Sequence, residues 1–199
     1  MSKNIGAKLV KELREKTGAG MMEAKSALVQ SGGDLEAAVD VLRKKGQLRA
    51  HKKASRVTGQ GIIDSYIHGE GQIGVLLEVN CETDFVARNE EFKKLVHDLS
   101  LQIAASNPLY ISRQDVPAET VEKEKQIYRE QALSQAKGAD ILEKIVSGRL
   151  EKYYQEVCLL EQAFIKDPDI VIQELVNQKI STIGENIQIR RFTRYVLGE

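Results

Sequence analysis

Ile73-Gly74-Val75-Leu76-Leu77-Glu78-Val79-Asn80-Cys81-Glu82-Thr83-Asp84-Phe85-Val86-Ala87-Arg88 passes from one kind of secondary structure to another. Its first part, Ile73 to Val79, is a short apolar run that predicts a buried strand. Beyond Arg88, apolar residues from Phe92 to Ile103 return at helical spacing. The turn between them is a place where a rigid scaffold can hold side chains out at a surface. A carboxylate, Asp84, and a phenyl ring, Phe85, stand there side by side. Asp84 can accept hydrogen bonds or disturb a nearby cation, and Phe85 can anchor in a hydrophobic slot on a partner. A second reading uses the same residues. Thr83 or Asp84 caps the helix, as short polar side chains commonly do, and Phe85 packs inward.

Working outward, Ile62, Ile63, Tyr66 and Ile67 predict a strand. His68-Gly69-Glu70-Gly71 is a turn, and Gln72 to Asn80 returns as the second arm of an antiparallel hairpin. The helix after the turn spans about Asn89 to Ser106 and stops before Asn107-Pro108. Val116-Pro117 introduces a charged helix over 118–136, with Val121, Tyr128 and Ala132 on its narrow apolar face. Helical patterns follow at 139–147 and 149–156, split by Gly148. Asp167 and Pro168 introduce another helix, whose buried stripe is Ile172, Leu175, Val176, Ile180 and Ile183 and whose end is Gly184. Ile187 and Ile189 then alternate with polar residues, and the apolar parity shifts to Phe192 and Val196. That shift predicts a bulge at Arg190-Arg191 in a last strand. The strand joins the hairpin in a three-stranded antiparallel sheet packed by helices, so the class is α+β.

The N-terminal part is helical. Leu9, Val10 and Leu13 make one stripe, stopped by Thr17-Gly18-Ala19-Gly20. Met21, Met22, Ala24, Ala27 and Leu28 make a second, broken by Ser31-Gly32-Gly33-Asp34. Leu35, Ala38, Val39, Val41 and Leu42 make a third, ending near Gly46. Three short helices with glycine turns resemble a ubiquitin-associated-like bundle. Residues 43–60 are rich in Lys and Arg and read as a connector, in which Leu48 and Ala50 allow a short helix. The expected organisation is a docking domain over 1–52, a linker over 53–60 and an α+β core, the dimerisation domain, over 61–199.

The net charge of zero conceals a division. Residues 1–60 hold 13 Lys/Arg against 6 Asp/Glu, and residues 61–199 hold 16 against 23. The basic head suits an acidic protein surface or RNA, or its charges simply solvate short helices. The basic stretch lacks interleaved aromatic residues, so no specific nucleic acid is expected.

Apolar content of 42% and charged content of 29% are those of an ordinary globular protein. No run approaches the roughly 18 apolar residues of a membrane span, and the start lacks the apolar core of a signal peptide. Cys81 and Cys158 stand far apart, beside apolar residues, and are expected as reduced thiols. His51, His68 and His97 have no metal-ligand spacing. Neither a nucleophile elbow nor a Walker loop nor a zinc-protease helix is present. The chain is therefore not expected to be an enzyme, nor to hold a metal or cofactor.

Two motifs converge on one family. Leu9-Val10-Lys11-Glu12-Leu13-Arg14-Glu15-Lys16-Thr17-Gly18-Ala19-Gly20-Met21-Met22 resembles the N-terminal signature of the elongation factor Ts family, and Glu78 to Ala87 resembles its second signature. Gly184-Glu185-Asn186-Ile187 and Arg190-Arg191-Phe192 fit as well. The chain resembles the short bacterial form, with one core module and no room for the coiled-coil excursion of longer members. The resemblance implies a cytoplasmic translation factor that exchanges guanine nucleotide on elongation factor Tu and promotes GDP release by perturbing its magnesium and phosphate site. It implies that Thr83, Asp84, Phe85 and Val86 enter the partner's GTPase domain near the magnesium ion. It implies that Arg14, Met21, Met22 and Lys25 contact that domain elsewhere. For Met21 and Met22 core packing is the alternative, with one of the two turned inward. Some short members carry a cysteine where Thr193 stands here. A homodimer of this chain would rest on packing without an intersubunit disulfide. The rival reading is a binding module, whose basic head holds RNA or an acidic protein and whose α+β part is a scaffold.

Overall fold

The computed structural model describes residues 5–133 and 138–199. Residues 134–136 of the helix expected over 118–136, and the first four residues of the head, lie outside them.

Three helices open the chain: α1 (Ala7–Thr17), α2 (Met21–Gln30) and α3 (Leu35–Lys53). Gly18 ends α1 in the left-handed region at φ 68°, and its N–H reaches the Arg14 carbonyl, as only a residue without Cβ does at low cost. Asp34 caps α3 by accepting from the Ala37 amide at 2.9 Å. Val10, Leu13, Ala24, Ala27, Leu28, Ala38 and Leu42 form one buried cluster, so the three predicted stripes meet.

The third helix does not end near Gly46; it continues to Lys53. The basic stretch read as a connector is thus largely helical, and its charges show why. Arg43 pairs with Glu174, Arg49 donates to Ser181 at 3.1 Å, and Lys53 donates to the Gly184 carbonyl. A Cβ at Gly46 would lie 4.0 Å from the Asn177 carbonyl oxygen. Tertiary contacts hold a helix that local sequence leaves marginal.

Strands β1 (Gln60–His68) and β2 (Ile73–Cys81) form the expected hairpin, and β5 (Ile187–Val196) pairs with β2, giving a three-stranded antiparallel sheet in the order β1-β2-β5. Val75, Leu77, Val79 and Cys81 form the buried face of β2. Along β5 the less exposed positions change from Ile187 and Ile189 to Phe192, Arg194 and Val196, the parity shift read in the sequence. Between β2 and β5 come α4 (Asp84–Ala87), α5 (Glu90–Ser106), α6 (Ala118–Ala132), α7 (Ala139–Val157), the strands β3 (Ala163–Phe164) and β4 (Asp167–Val171), and α8 (Ile172–Ile183).

Two expectations differ from the structure in this stretch. Gly148 does not split a helix: α7 is continuous through it. One interior glycine costs about 1 kcal/mol, too little to break a long helix that packs along its neighbour. The helices α6 and α7 lie against each other as a pair, tied by Arg129 to Glu143 at 3.0 Å and Arg149 to Gln131 at 2.7 Å. The two helices expected on either side of residue 137 are therefore both present and pack as a hairpin. Residues 167–171, expected to lead into a helix, form β4 and pair antiparallel with β3, Ala163 opposite Val171. Buried Gln102 holds that hairpin, accepting from the Ile165 amide at 2.9 Å and donating to the Ala163 carbonyl at 3.1 Å.

By backbone proximity the chain divides into two compact units. One holds the chain up to Ser65 with Leu76–Leu99 and Glu174–Phe192, and the other holds Tyr66–Val75, Ser100–Gln173 and Thr193–Glu199. The candidate residues of the sequence all fall in the first. In the second, Arg113 grips Glu151 and Glu161 and lies 4.6 Å from the centre of the Tyr154 ring.

Candidate functional site

β2 delivers the chain to the turn with Cys81 fully buried. The Cys81 thiol donates to the Thr83 carbonyl at 3.2 Å. Burial, and then the negative charge of Glu185, push its pKa up to about 11, so it stays a protonated structural thiol. Thr83 is extended at φ −127° and is the N-cap of α4, its hydroxyl accepting from the Val86 amide. Of the two capping candidates the threonine therefore fills the role, and Asp84 is released from it. Asp84 pairs with Arg88 at 2.8 Å, one helical turn on, in solvent.

Phe85 points outward and is 81% exposed. The inward-packing alternative for this ring is overturned. Ala87 takes the buried position, with Val86 between the two extremes. The physical reason lies in the length of α4. α4 is only four residues long, so one side chain fills the inner face and the tip faces away.

The turn is clamped from a distant part of the chain. One oxygen of Glu185 accepts from the backbone amides of Glu82 at 3.1 Å and Thr83 at 3.0 Å, and the other accepts the Thr83 hydroxyl at 2.7 Å. In return, Glu82 accepts from the Asn186 amide at 2.6 Å. The Asn186 side chain donates to the carbonyls of Ala54 at 3.4 Å and Arg56 at 3.0 Å. Arg56 also lies 3.5 Å from Glu82. Sequence reasoning gave these residues no role. For Glu185 and Asn186 the signal was the family resemblance of Gly184-Glu185-Asn186-Ile187, and for Glu82 its place in the second signature.

The second set lies on α1 and α2. Arg14 and Lys25 are exposed. Met21 is 50% exposed and Met22 76%, so neither is turned inward, contrary to the expectation for one of them. Ala24, Ala27 and Leu28 fill the inner face of α2; Met22 lies on the opposite side, and Met21 shares their face but stands at the first position of the helix, beyond the packed turns. Two flexible thioethers at a helix start make an adaptable apolar surface. The turn residues thus lie together at one tip, and the head residues lie on other elements.

Among the described residues, no group of three or more His, Cys, Asp or Glu could hold a metal ion, and no helix is long and apolar enough to cross a membrane.

A family model described as elongation factor Ts matches residues 3–199. The chain is 59% identical to elongation factor Ts of Acetivibrio thermocellus over 98% of this chain and 91% of that protein. It is 56% identical to elongation factor Ts of Carboxydothermus hydrogenoformans over 98% of this chain and 90% of the other. With elongation factor Ts of Caldanaerobacter subterraneus it shares 56% identity over 98% of both chains.

Proposed function

Because the chain belongs to the elongation factor Ts family, and is thus a translation elongation factor, we propose that it is a guanine nucleotide exchange factor acting on elongation factor Tu in the cytoplasm. It binds the GDP form of that GTPase and speeds GDP release without catalysing a chemical reaction. The observation that carries this reading is Phe85, an aromatic ring 81% exposed at the tip of a hydrogen-bonded turn, with the Asp84 carboxylate beside it. Phe85 gives the fold little in this position, and a ring presented at the tip of a capped, hydrogen-bonded turn is placed as an interface anchor is.

The mechanism follows from charge. Mg²⁺ in a GTPase is held by few protein ligands, phosphate oxygens and water, so small shifts around it weaken its binding. Thr83, Asp84, Phe85 and Val86 enter beside that ion, with the ring as wedge and the carboxylate as a competing charge. Loss of the ion leaves the GDP phosphates less neutralised, and GDP departs. Interface free energy drives the distortion. By linkage the factor weakens GDP affinity by the same ratio as GDP weakens the factor's affinity. Arg14, Met21, Met22 and Lys25 dock the head, residues 1–52, on another side of the GTPase, with 53–60 as its connection to the core at 61–199.

Stopped-flow release of a fluorescent GDP from elongation factor Tu tests the proposal. Substoichiometric amounts of this protein should accelerate release many-fold. An unchanged rate with the cognate GTPase would defeat it.

A homodimer is part of the same reading. Ile63 and Leu76, 63% and 49% exposed, belong to the exposed parity of β1 and β2 and offer an apolar face. Thr193 supplies no thiol, and both cysteines are buried. Light scattering should give about twice the 22.2 kDa chain mass under both reducing and non-reducing conditions. A monomer at micromolar concentrations would count against it.

A further inference from the structure

We infer that Glu185 is a positioning residue for exchange, holding the Thr83–Val86 turn in its partner-ready form and tying it, through Asn186, to the chain that leaves α3. The inference rests on the exchange reading above and deepens it. Three bonds converge on one carboxylate: the amides of Glu82 and Thr83 on one oxygen and the Thr83 hydroxyl on the other. The same hydroxyl caps α4 by accepting from Val86. Glu185 therefore orients the cap, the cap orients α4, and α4 aims Asp84 and Phe85. A carboxylate suits this task because it only accepts, and two amides and a hydroxyl only need acceptors here.

The return half of the knot carries the link to the head. Glu82 accepts from the Asn186 amide at 2.6 Å, while the Asn186 side chain donates to Ala54 and Arg56, the residues that follow α3. Arg56 closes the ring of contacts at Glu82. A turn aimed by preorganised hydrogen bonds spends no binding free energy on being ordered at the interface. The exchange tip and the chain leaving the docking helices are thus fixed to one another by the side chains of Glu185, Asn186, Glu82 and Arg56, which meet the tip at the Thr83 hydroxyl and lie outside the set that enters the partner in this reading.

The test uses the full chain in three measurements: GDP release as a function of factor concentration, hydrogen exchange of the backbone amides, and thermal melting. Glu185→Ala should reduce the maximal release rate three- to tenfold, and the amides of Glu82 and Thr83 should lose protection. Glu185→Gln keeps an acceptor oxygen for the two amides but sets an NH2 group against the Thr83 hydroxyl, so both readouts should fall between wild type and Glu185→Ala. If alanine at this position unfolds the chain, Glu185→Asp withdraws the carboxylate by one methylene, keeps its charge, and carries the same expectation as alanine. Because Glu185 acts through the tip, adding Glu185→Ala to Phe85→Ala should slow release by clearly less than the product of the two single defects, the remainder being the aim of Asp84. A folded Glu185→Ala protein with a wild-type maximal rate would overturn the positioning role. So would unchanged amide protection, or defects that multiply in the double variant. An inactive wild-type protein would instead bring down the exchange reading, and the two failures are therefore distinguishable.

Discussion

Phe85→Ala is expected to slow GDP release from elongation factor Tu tenfold or more at a fixed subsaturating concentration while leaving the fold intact. The side chain is 81% exposed, so its removal forfeits almost no burial within the chain. As a central anchor in an interface it is worth about 2 kcal/mol or more, roughly a 30-fold change in affinity. Asp84→Ala should behave alike with a smaller loss. Thr83, not Asp84, supplies the cap, so the substitution gives up only the exposed pair with Arg88, about 0.3–0.5 kcal/mol of stability. Removal of Mg²⁺ by EDTA separates the two parts of the mechanism. If the tip acts by displacing the ion, both defects should shrink once the ion is gone, because the wild-type advantage then has nothing to act on. An equal defect in both conditions would keep the interface role and reject the magnesium route. Large melting losses with normal exchange per folded molecule would return both residues to a structural role.

How far sequence could anticipate this site depends on the range of the interactions. The strand into the turn was legible because a short run rich in Val, Leu and Ile, with turn residues before it, suits a buried strand and is too short for a helix of its own. That Thr83 or Asp84 is a cap followed from their chemistry, but not which of the two. The direction of Phe85 was ambiguous, since a capped helix with an inward ring and a presented anchor use the same local residues. Glu185 was beyond local reading: it reaches Thr83 across 102 positions, and nothing about a lone glutamate after a glycine says which amides it will meet. The same limit accounts for the fold. The stripes of α1, α2 and α5 were visible by period. The second half of α3 was not, because Arg43, Arg49 and Lys53 find their partners on α8 and just after it, and without them that stretch is a run of solvated charge. The β3–β4 hairpin holds five residues in its longer arm, including Pro168, and depends on Gln102 and Gln162, whose side chains bond each other at 3.2 Å in the interior.

Gly61→Ala is expected to destabilise the chain strongly, and to damage exchange through it. Gly61 lies in β1 at φ +150°, which L side chains rarely adopt, and an added Cβ would collide with the Val79 carbonyl and come within 2.7 Å of the Asn80 Cα. Both obstacles are backbone of the neighbouring strand, so no rotamer change relieves them. Overpacking of this kind costs about 1–3 kcal/mol, and backbone strain adds about 1–3 kcal/mol. For a chain of this size a loss of ~2–5 kcal/mol lowers the melting temperature by about 5–15 °C. The displacement falls on Val79 and Asn80, immediately before Cys81, Glu82 and the capped turn. The molecules that remain folded should therefore also exchange more slowly, because the amides that Glu185 holds are moved. Gly59→Ala is the control: a Cβ there meets nothing within 4 Å, and Gly59 has no positive φ. That substitution should be neutral or stabilising by a few tenths of a kcal/mol through the unfolded chain. Thermal melts of both variants with GDP-release rates per folded molecule decide the matter. A melting loss at Gly61 no larger than at Gly59 would mean that β1 can slide away from β2, and the close approach of the two strands would then have no part in holding the turn.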